Sequence, residues 1–272
     1  MLRFVVALEP EARPLIERYR LRREPDAHPF AIYRREGIAL VVSGIGKVAA
    51  AAATSYLHLA TGGERHAAWL NVGIAGHRQR PLGEAVIAHK IRDAASGRSW
   101  YPPRIASAES SDEVVTVDRP ETELREPVAY EMEASGFYDT ASRFASSEVV
   151  QCLKIVSDSP SQPAADLTPR KVAALVERRL PAVERLAQGC LELSAELRRL
   201  EAEPPDFDRC LERWYFTVTE KRQLSRLLRR RRTLAPAADL PLEDLGARAR
   251  GKDVNRRLGR WLDAVAVEAE TA

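Results

Sequence analysis

Along residues 1–200, short apolar runs alternate with longer segments in which apolar side chains recur every three or four positions. LRFVVAL (2–8) reads as a strand and EPEARPLIERY (9–19) as the helix after it. FAIYRR and IALVVSG flank Glu36-Gly37 and predict a hairpin ending at Ser43. Gly44 and Gly46 interrupt the strand, and KVAAAAATSYLHLA (47–60) predicts an alanine-rich helix that stops before Gly62-Gly63. AAWLNVGIAG (67–76) and GEAVIAHKI (83–91) read as strands, the first so apolar that it belongs in the middle of a sheet. Residues 92–112 read as irregular, EVVTV (113–117) as a short strand and 131–145 as a helix. SEVVQCLKIVSDS (147–159) is a further buried strand. Pro160, Pro163 and Pro169 then lead into a helix that runs to about Leu200 with a break at Pro181.

This order predicts an α/β domain over residues 1–200, closed by a boundary at EAEPP (201–205). A helical C-terminal extension follows over 206–272, with helices near 207–232 and 252–268. The 272 residues are enough for a sizeable core. No apolar stretch approaches membrane-spanning length, and the N-terminal run is too short for a signal-peptide core. Cys152, Cys190 and Cys210 have neither metal-site nor CxxC spacing, so a cytoplasmic, reducing setting with buried thiols is expected. The net charge of +3 is unevenly spread: residues 206–260 hold fifteen Lys and Arg against eight Asp and Glu, a local +7, leaving about −4 for the rest.

Candidate chemistry lies in three stretches, ALEPEA (7–12), YEMEA (130–134) and IVSD (155–158), each with an acid at a strand end or a helix start. In open α/β sheets, ligands bind in the crevice outside the carboxyl ends of the strands, where Glu11, Glu133 and Asp158 would converge. Each acid taken singly has an ordinary reading, Asp158 as a cap and Glu11 as a first-turn charge. Within a helix, Glu131 and Glu133 would point in different directions and could not share one solvated face.

VVSGIGKVAAAAAT (41–54), NVGIAG (71–76), YEMEA and IVSD, in this order after ALEPEA, resemble the 5′-methylthioadenosine/S-adenosylhomocysteine nucleosidases of the nucleoside phosphorylase superfamily. The resemblance covers about residues 1–200. It implies a three-layer α/β/α sandwich with a central mixed sheet, and hydrolysis of the N-ribosidic bond of a purine nucleoside without metal or organic cofactor. By the same resemblance Asp158 would assist the leaving purine and Glu11 would activate water. Glu133 would hold the ribose hydroxyls, with Met132 against the sugar and Ser157 also at the substrate. Glu131 need only support the backbone. A carboxylate at the attacking site would repel phosphate, which favours hydrolysis over phosphorolysis. GIGK (44–47) lacks the spacing of a phosphate loop and reads as close strand–helix packing.

The chain departs from the family at Ile74, where a small polar residue is usual, and in a shortened segment between NVGIAG and YEMEA. That segment leaves no evident residue to cover the base. Trp100, Tyr101 and Phe137 are candidates, although each reads better as core or surface. An alternative function is therefore a nucleoside-binding module without turnover, whose basic tail meets nucleic acid or a protein. In RWYFTVTEKRQLSRLLRRRRTL (213–234), Arg229 to Arg232 span all faces of a helix and form no single phosphate-binding stripe, so a packing role is preferred to nucleic-acid contact. Homo-oligomerisation is compatible with the sequence, and no membrane partner is expected.

Overall fold

A computed structural model describes residues 1–25, 29–105, 109–246 and 248–271. In chain order the elements begin with β1 (Leu2–Val6), α1 (Glu9–Tyr19), β2 (Arg22–Arg23), β3 (Ala31–Arg35), β4 (Ile38–Val42) and α2 (Lys47–Ala60). There follow β5 (Ala68–His77), β6 (Ala85–Asp93), β7 (Ser99–Trp100), β8 (Ser110–Thr116), β9 (Ala129–Glu131), α3 (Ala134–Ala141) and β10 (Val150–Asp158). The remainder is helical: α4 (Pro169–Arg178), α5 (Leu180–Glu201), α6 (Asp206–Arg213), α7 (Val218–Leu234) and α8 (Gly251–Thr271). The chain divides into two compact units, Met1–Arg198 and Arg199–Ala272.

The first unit is an α/β/α sandwich on a mixed sheet. β1 lies parallel to β4 and β5, β10 lies parallel to β5, and β3 and β4 form the antiparallel hairpin at Glu36-Gly37. Alternation along the strands feeds two cores. Leu2, Phe4 and Val6 of β1 face Ala12 and Leu15 of α1 together with Val176, Val183 and Leu186 of α4 and α5. Val5, Val41 and Trp69 face Ala50, Ala53 and Leu57 of α2 and Phe137 of α3. β5 is central, as its apolar run predicts. The sheet also curls on itself, because β5, β10, β6, β8 and β9 each pair with two others in a closed ring.

Several expectations need correction. The helix expected from residue 131 is preceded there by a strand, because Ala129–Glu131 pair in parallel with β8 and antiparallel with the end of β5. The helix begins only at Ala134. The stretch expected to be irregular contains β7 and the start of β8, and its residues 106–108 lie outside the described residues. The break near Pro181 falls at Arg179, leaving Pro181 in the first turn of α5, where its missing N–H costs least. The helix expected over 207–232 is two helices, divided at Trp214–Thr217. There the Thr217 side chain caps the new N-terminus, and the Thr217 N–H donates in turn to the Glu220 carboxylate at 2.8 Å.

In the second unit Trp214, Phe216, Leu224, Leu228, Val254 and Leu258 form a core of their own. The arginine run is spent on local contacts. Arg229 donates to the Glu201 carbonyl at 2.7 Å and Arg232 reaches the Arg199 and Leu200 carbonyls, so both satisfy orphan carbonyls in the last turn of a helix. Arg230 pairs with Asp263 at 2.7 Å, and Arg231 binds the Ala238 carbonyl and lies 3.6 Å from Asp206.

α2 and α3 meet at a glycine. A Cβ on Gly136 would stand 1.9 Å from the Lys47 carbonyl oxygen, a backbone atom that cannot swing aside. Gly136→Ala should therefore lower stability by about 1–3 kcal/mol or more through overpacking, read as a lower urea midpoint. A midpoint equal to that of the parent would show that the two helices separate at no cost.

Candidate active site

β5 changes partner along its length. Residues 68–71 pair with β1 and Gly76-His77 with β9, so on that edge residues 72–75 have no strand beside them. Backbone groups at such a gap must find other partners. Glu11, in the first turn of α1, is one: its Oε1 accepts the Ile74 N–H at 2.9 Å and its Oε2 accepts the Leu8 N–H at 2.8 Å. A cavity of about 170 Å³ opens here, outside the carboxyl ends of β1, β5 and β10. Glu11, Met132, Glu133, Ser157 and Asp158 all line it, among the apolar side chains of Leu8, Ile45, Ile74, Val117 and Leu167. Among the described residues, no Arg or Lys does so.

The NVGIAG glycines leave room for carboxylates. A Cβ on Gly73 would lie 2.9 Å from Glu11 Oε1 and 3.4 Å from Lys154 Nζ, and one on Gly76 would lie 2.6 Å from Asp158 Oδ2. GIGK has a packing role and a wiring role. Gly46 turns at φ 102° and donates its N–H to Glu133 Oε1 at 2.8 Å, while Lys47 is held by Asp93 at 2.8 Å and Asp118 at 2.9 Å. That amide is therefore committed to a carboxylate.

Glu131 and Glu133 divide the YEMEA motif. Glu131 ends β9 with its carboxylate saturated: Oε1 accepts the Thr116 hydroxyl at 2.6 Å, and Oε2 accepts the Glu133 and Ala134 amides at 2.9 and 2.8 Å and faces Lys154 Nζ at 2.8 Å. It thereby caps the amides at the start of α3. Glu133, at the N-cap, has an oxygen 4.0 Å from Lys154 and lines the cavity. Burial raises its pKa to about 7; the Lys154 charge opposes this and the Glu131 charge adds to it.

The other two acids have different partners. Burial raises Glu11, opposed by the Lys154 charge and the two backbone amides. Burial also raises Asp158, opposed only by the Ser157 hydroxyl, which donates to Oδ1 at 2.6 Å. Burial would pull the Lys154 ammonium down, yet Glu131 and Glu133 push it up, and the net shift is upward.

Lys154 and Tyr130 were not singled out by motif. The signal for Lys154 was present as a lone lysine in the apolar run of β10. Tyr130 lines the cavity, whereas the three aromatics considered for the base do not. Phe137 is core, Tyr101 is exposed and Trp100 lies under Arg98. Cys152 is no nucleophile, because burial pushes its thiol up to about 12. His77 has both ring nitrogens occupied, Nδ1 accepting two amides at 3.0 Å and Nε2 facing Asp112 at 3.2 Å. A crevice of about 300 Å³ in the C-terminal unit is roomier, but its Asp206 is already paired with Arg209 and Arg231. Among the described residues, no group of three His, Cys, Asp or Glu is arranged to hold a metal, and no helix is long and apolar enough to cross a membrane.

Solved nucleosidases share this architecture. The 5′-methylthioadenosine nucleosidase of Arabidopsis thaliana superposes with a TM-score of 0.57 at 16% identity, over 71% of this chain and 95% of its own. The chain has the nucleoside phosphorylase/nucleosidase fold. The methylthioadenosine/S-adenosylhomocysteine nucleosidase of Colwellia psychrerythraea, solved with adenine, gives 0.53 at 18% identity over 70% of this chain and 94% of that one. A futalosine hydrolase of Helicobacter pylori gives 0.50 at 16% identity, over 69% and 98%. No sequence-family model and no curated protein matches the chain. On this fold the cavity lies at the partner change of β5, where Glu11, Glu133 and Asp158 meet.

Two measurements test these electrostatics. Lys154→Met should cost about 3–5 kcal/mol, because it strands a buried carboxylate; pairing it with Glu131→Gln should recover part of the loss. Equal urea midpoints for parent and single variant would show that the pair carries no net weight. Folded Glu133 keeps its proton from the unfolded range near 4.5 up to about 7. A raised carboxylate pKa means that the folded state binds more protons, so stability falls as pH rises across that window, by up to about 3 kcal/mol for this group. Glu133→Gln should flatten the decline between pH 4.5 and 7. An unchanged slope would contradict the assignment.

Proposed function

We propose that the protein hydrolyses the N-ribosidic bond of a purine nucleoside of the methylthioadenosine or adenosylhomocysteine type, as a cytoplasmic enzyme that needs no metal or organic cofactor. The observation that carries this reading is the cavity lining: among the described residues it has four buried carboxylates with different partner sets, Glu131 being fully engaged by its own donors, and no cation to hold phosphate. Cleavage of such a bond passes through an oxocarbenium-like transition state, which needs a proton for the leaving base and a nucleophile for the sugar. Asp158 has no cationic partner among its contacts and is suited to hold a proton for the base. Glu11 has two amide donors and the Lys154 field, which favour the ionised form, and is suited to orient and deprotonate water. Glu133 would accept the ribose hydroxyls, with Met132 against the sugar and Ser157 holding Asp158.

The size of the cavity supports a second reading. At about 170 Å³ it is smaller than the roughly 300 Å³ at which small-molecule sites begin. A nucleoside therefore enters only if the walls give way, and a chain whose walls no longer do so would bind a fragment such as the free base without turnover. The basic tail as a contact for nucleic acid belongs to this reading.

The deciding experiment incubates the full chain with a panel of purine nucleosides, with and without phosphate, and measures free base. Phosphate-independent release is expected, and Asp158→Asn and Glu11→Gln should each lose on the order of 10²-fold or more. Release that requires phosphate would make the protein a phosphorylase. Calorimetric binding of adenine without release of base from any nucleoside would favour the binding module.

A further inference from the structure

Among the described residues, two that are not glycine have positive φ. Arg20, at 52°, is explained by its place at the end of α1, where left-handed residues are common. Leu124, at 45°, terminates no helix and is only 1% exposed. Gly, Asn or Asp would adopt that backbone more easily, and a branched apolar side chain there is a departure that the surroundings must enforce. The surroundings do so from both sides. Glu126 is held by Arg92 of β6 at 2.8 Å and by the Tyr130 hydroxyl, which accepts its N–H at 3.3 Å. Glu123 donates its N–H to the Glu121 carboxylate at 2.8 Å, and Asp118 is held by Lys47.

The position that this strain secures lies beside the acid. Leu124 Cδ2 is 2.9 Å, and Asp158 Oδ2 is 2.6 Å, from the point that a Cβ on Gly76 would occupy. Leu124 also belongs to a small apolar cluster with Val115, Val128 and Tyr130, of which Tyr130 reaches the cavity. Resting on the hydrolase reading, we propose that Leu124 is a positioning residue whose strained insertion keeps water from the Gly76 side of the Asp158 carboxyl, and so lets that acid carry the proton that the leaving base takes up. The titratable groups facing the same cavity are Glu11 from α1, Glu121 and Tyr130 from the β8–β9 segment and β9, and Glu131 and Glu133, with Lys154 buried behind them on β10. None of them is within hydrogen-bond distance of Asp158, so the solvent exposure that Leu124 controls is the main lever on this acid.

The test follows the Asp158 carboxyl by carbon-detected NMR titration in the full chain, alongside the pH profile of base release. Leu124→Gly, which suits the backbone but opens the wall, should lower the Asp158 midpoint by about one pH unit. The alkaline limb of the turnover profile should move down with it, a loss of about tenfold at pH 7. Leu124→Asn, which also tolerates a left-handed backbone, should behave alike and carries the test if the glycine variant unfolds. Leu124→Met should restore the midpoint toward that of the parent. An unchanged midpoint in a folded glycine or asparagine variant overturns the proposal. Absence of base release from the parent overturns the hydrolase reading instead, and the NMR midpoints still decide the role of Leu124.

Discussion

A cluster of buried carboxylates needs a buried positive charge, protons, or both. Here the charge is Lys154, 1% exposed on a strand whose other side chains are also buried. A lone ammonium in that position would be too costly to keep charged, and its pairing with Glu131 at 2.8 Å is what makes it tolerable. Glu131 must then lie at the end of β9, within reach of β10, and it reaches there only because β8 and β5 both pair with that short strand. The same carboxylate binds the first amides of α3, which brings Glu133 to the cavity. One ion pair thus ties two strands and a helix to the place where the acids meet.

Much of this could be read from the sequence where local pattern and tertiary outcome agree. The β1–α1 unit, the hairpin at Gly37, α2, central β5 and buried β10 follow from periodicity and glycine placement, and the motif order pointed to the residues that line the cavity. The pattern starts a helix at residue 131, three positions before α3 begins, because a strand of three residues carries too little pattern and its pairing to β5 and β8 is decided far along the chain. The break before α7 had a readable signal in T-V-T-E at 217–220, a capping box hidden inside an otherwise continuous helical rhythm. Lys154 stood out in its apolar strand, but its partner lies 23 positions away on another element and no local rule names it. Leu124 gave no signal at all, since left-handed backbone at a leucine is imposed by anchors at Asp118, Glu126 and Tyr130.

The arginine run shows how composition and geometry can diverge. Four adjacent cations suggest a surface seeking anions, yet each meets an acceptor within its own unit, either a carboxylate or a carbonyl. A guanidinium has five donors in a planar fork and can satisfy carbonyls that a compact ammonium would reach less well. Two of these four charges close the end of α5, and the other two bind Asp263 and the Ala238 carbonyl.

Around the cavity the logic is reversed, because what matters is which groups lack partners. Glu131 accepts from a hydroxyl, two amides and an ammonium and has nothing left for a ligand. Glu11 accepts two amides, one of them from the gap in the β5 ladder, so the sheet defect beside the cavity supplies a donor that opposes the burial raising this acid's pKa. Asp158 accepts a single hydroxyl and lies where a glycine and a strained leucine leave it short of water. Three carboxylates at one cavity thus differ in their donors: four for Glu131, two for Glu11 and one for Asp158. Burial raises the pKa of both Glu11 and Asp158, and at Glu11 two amides and the Lys154 charge oppose it where Asp158 has one hydroxyl.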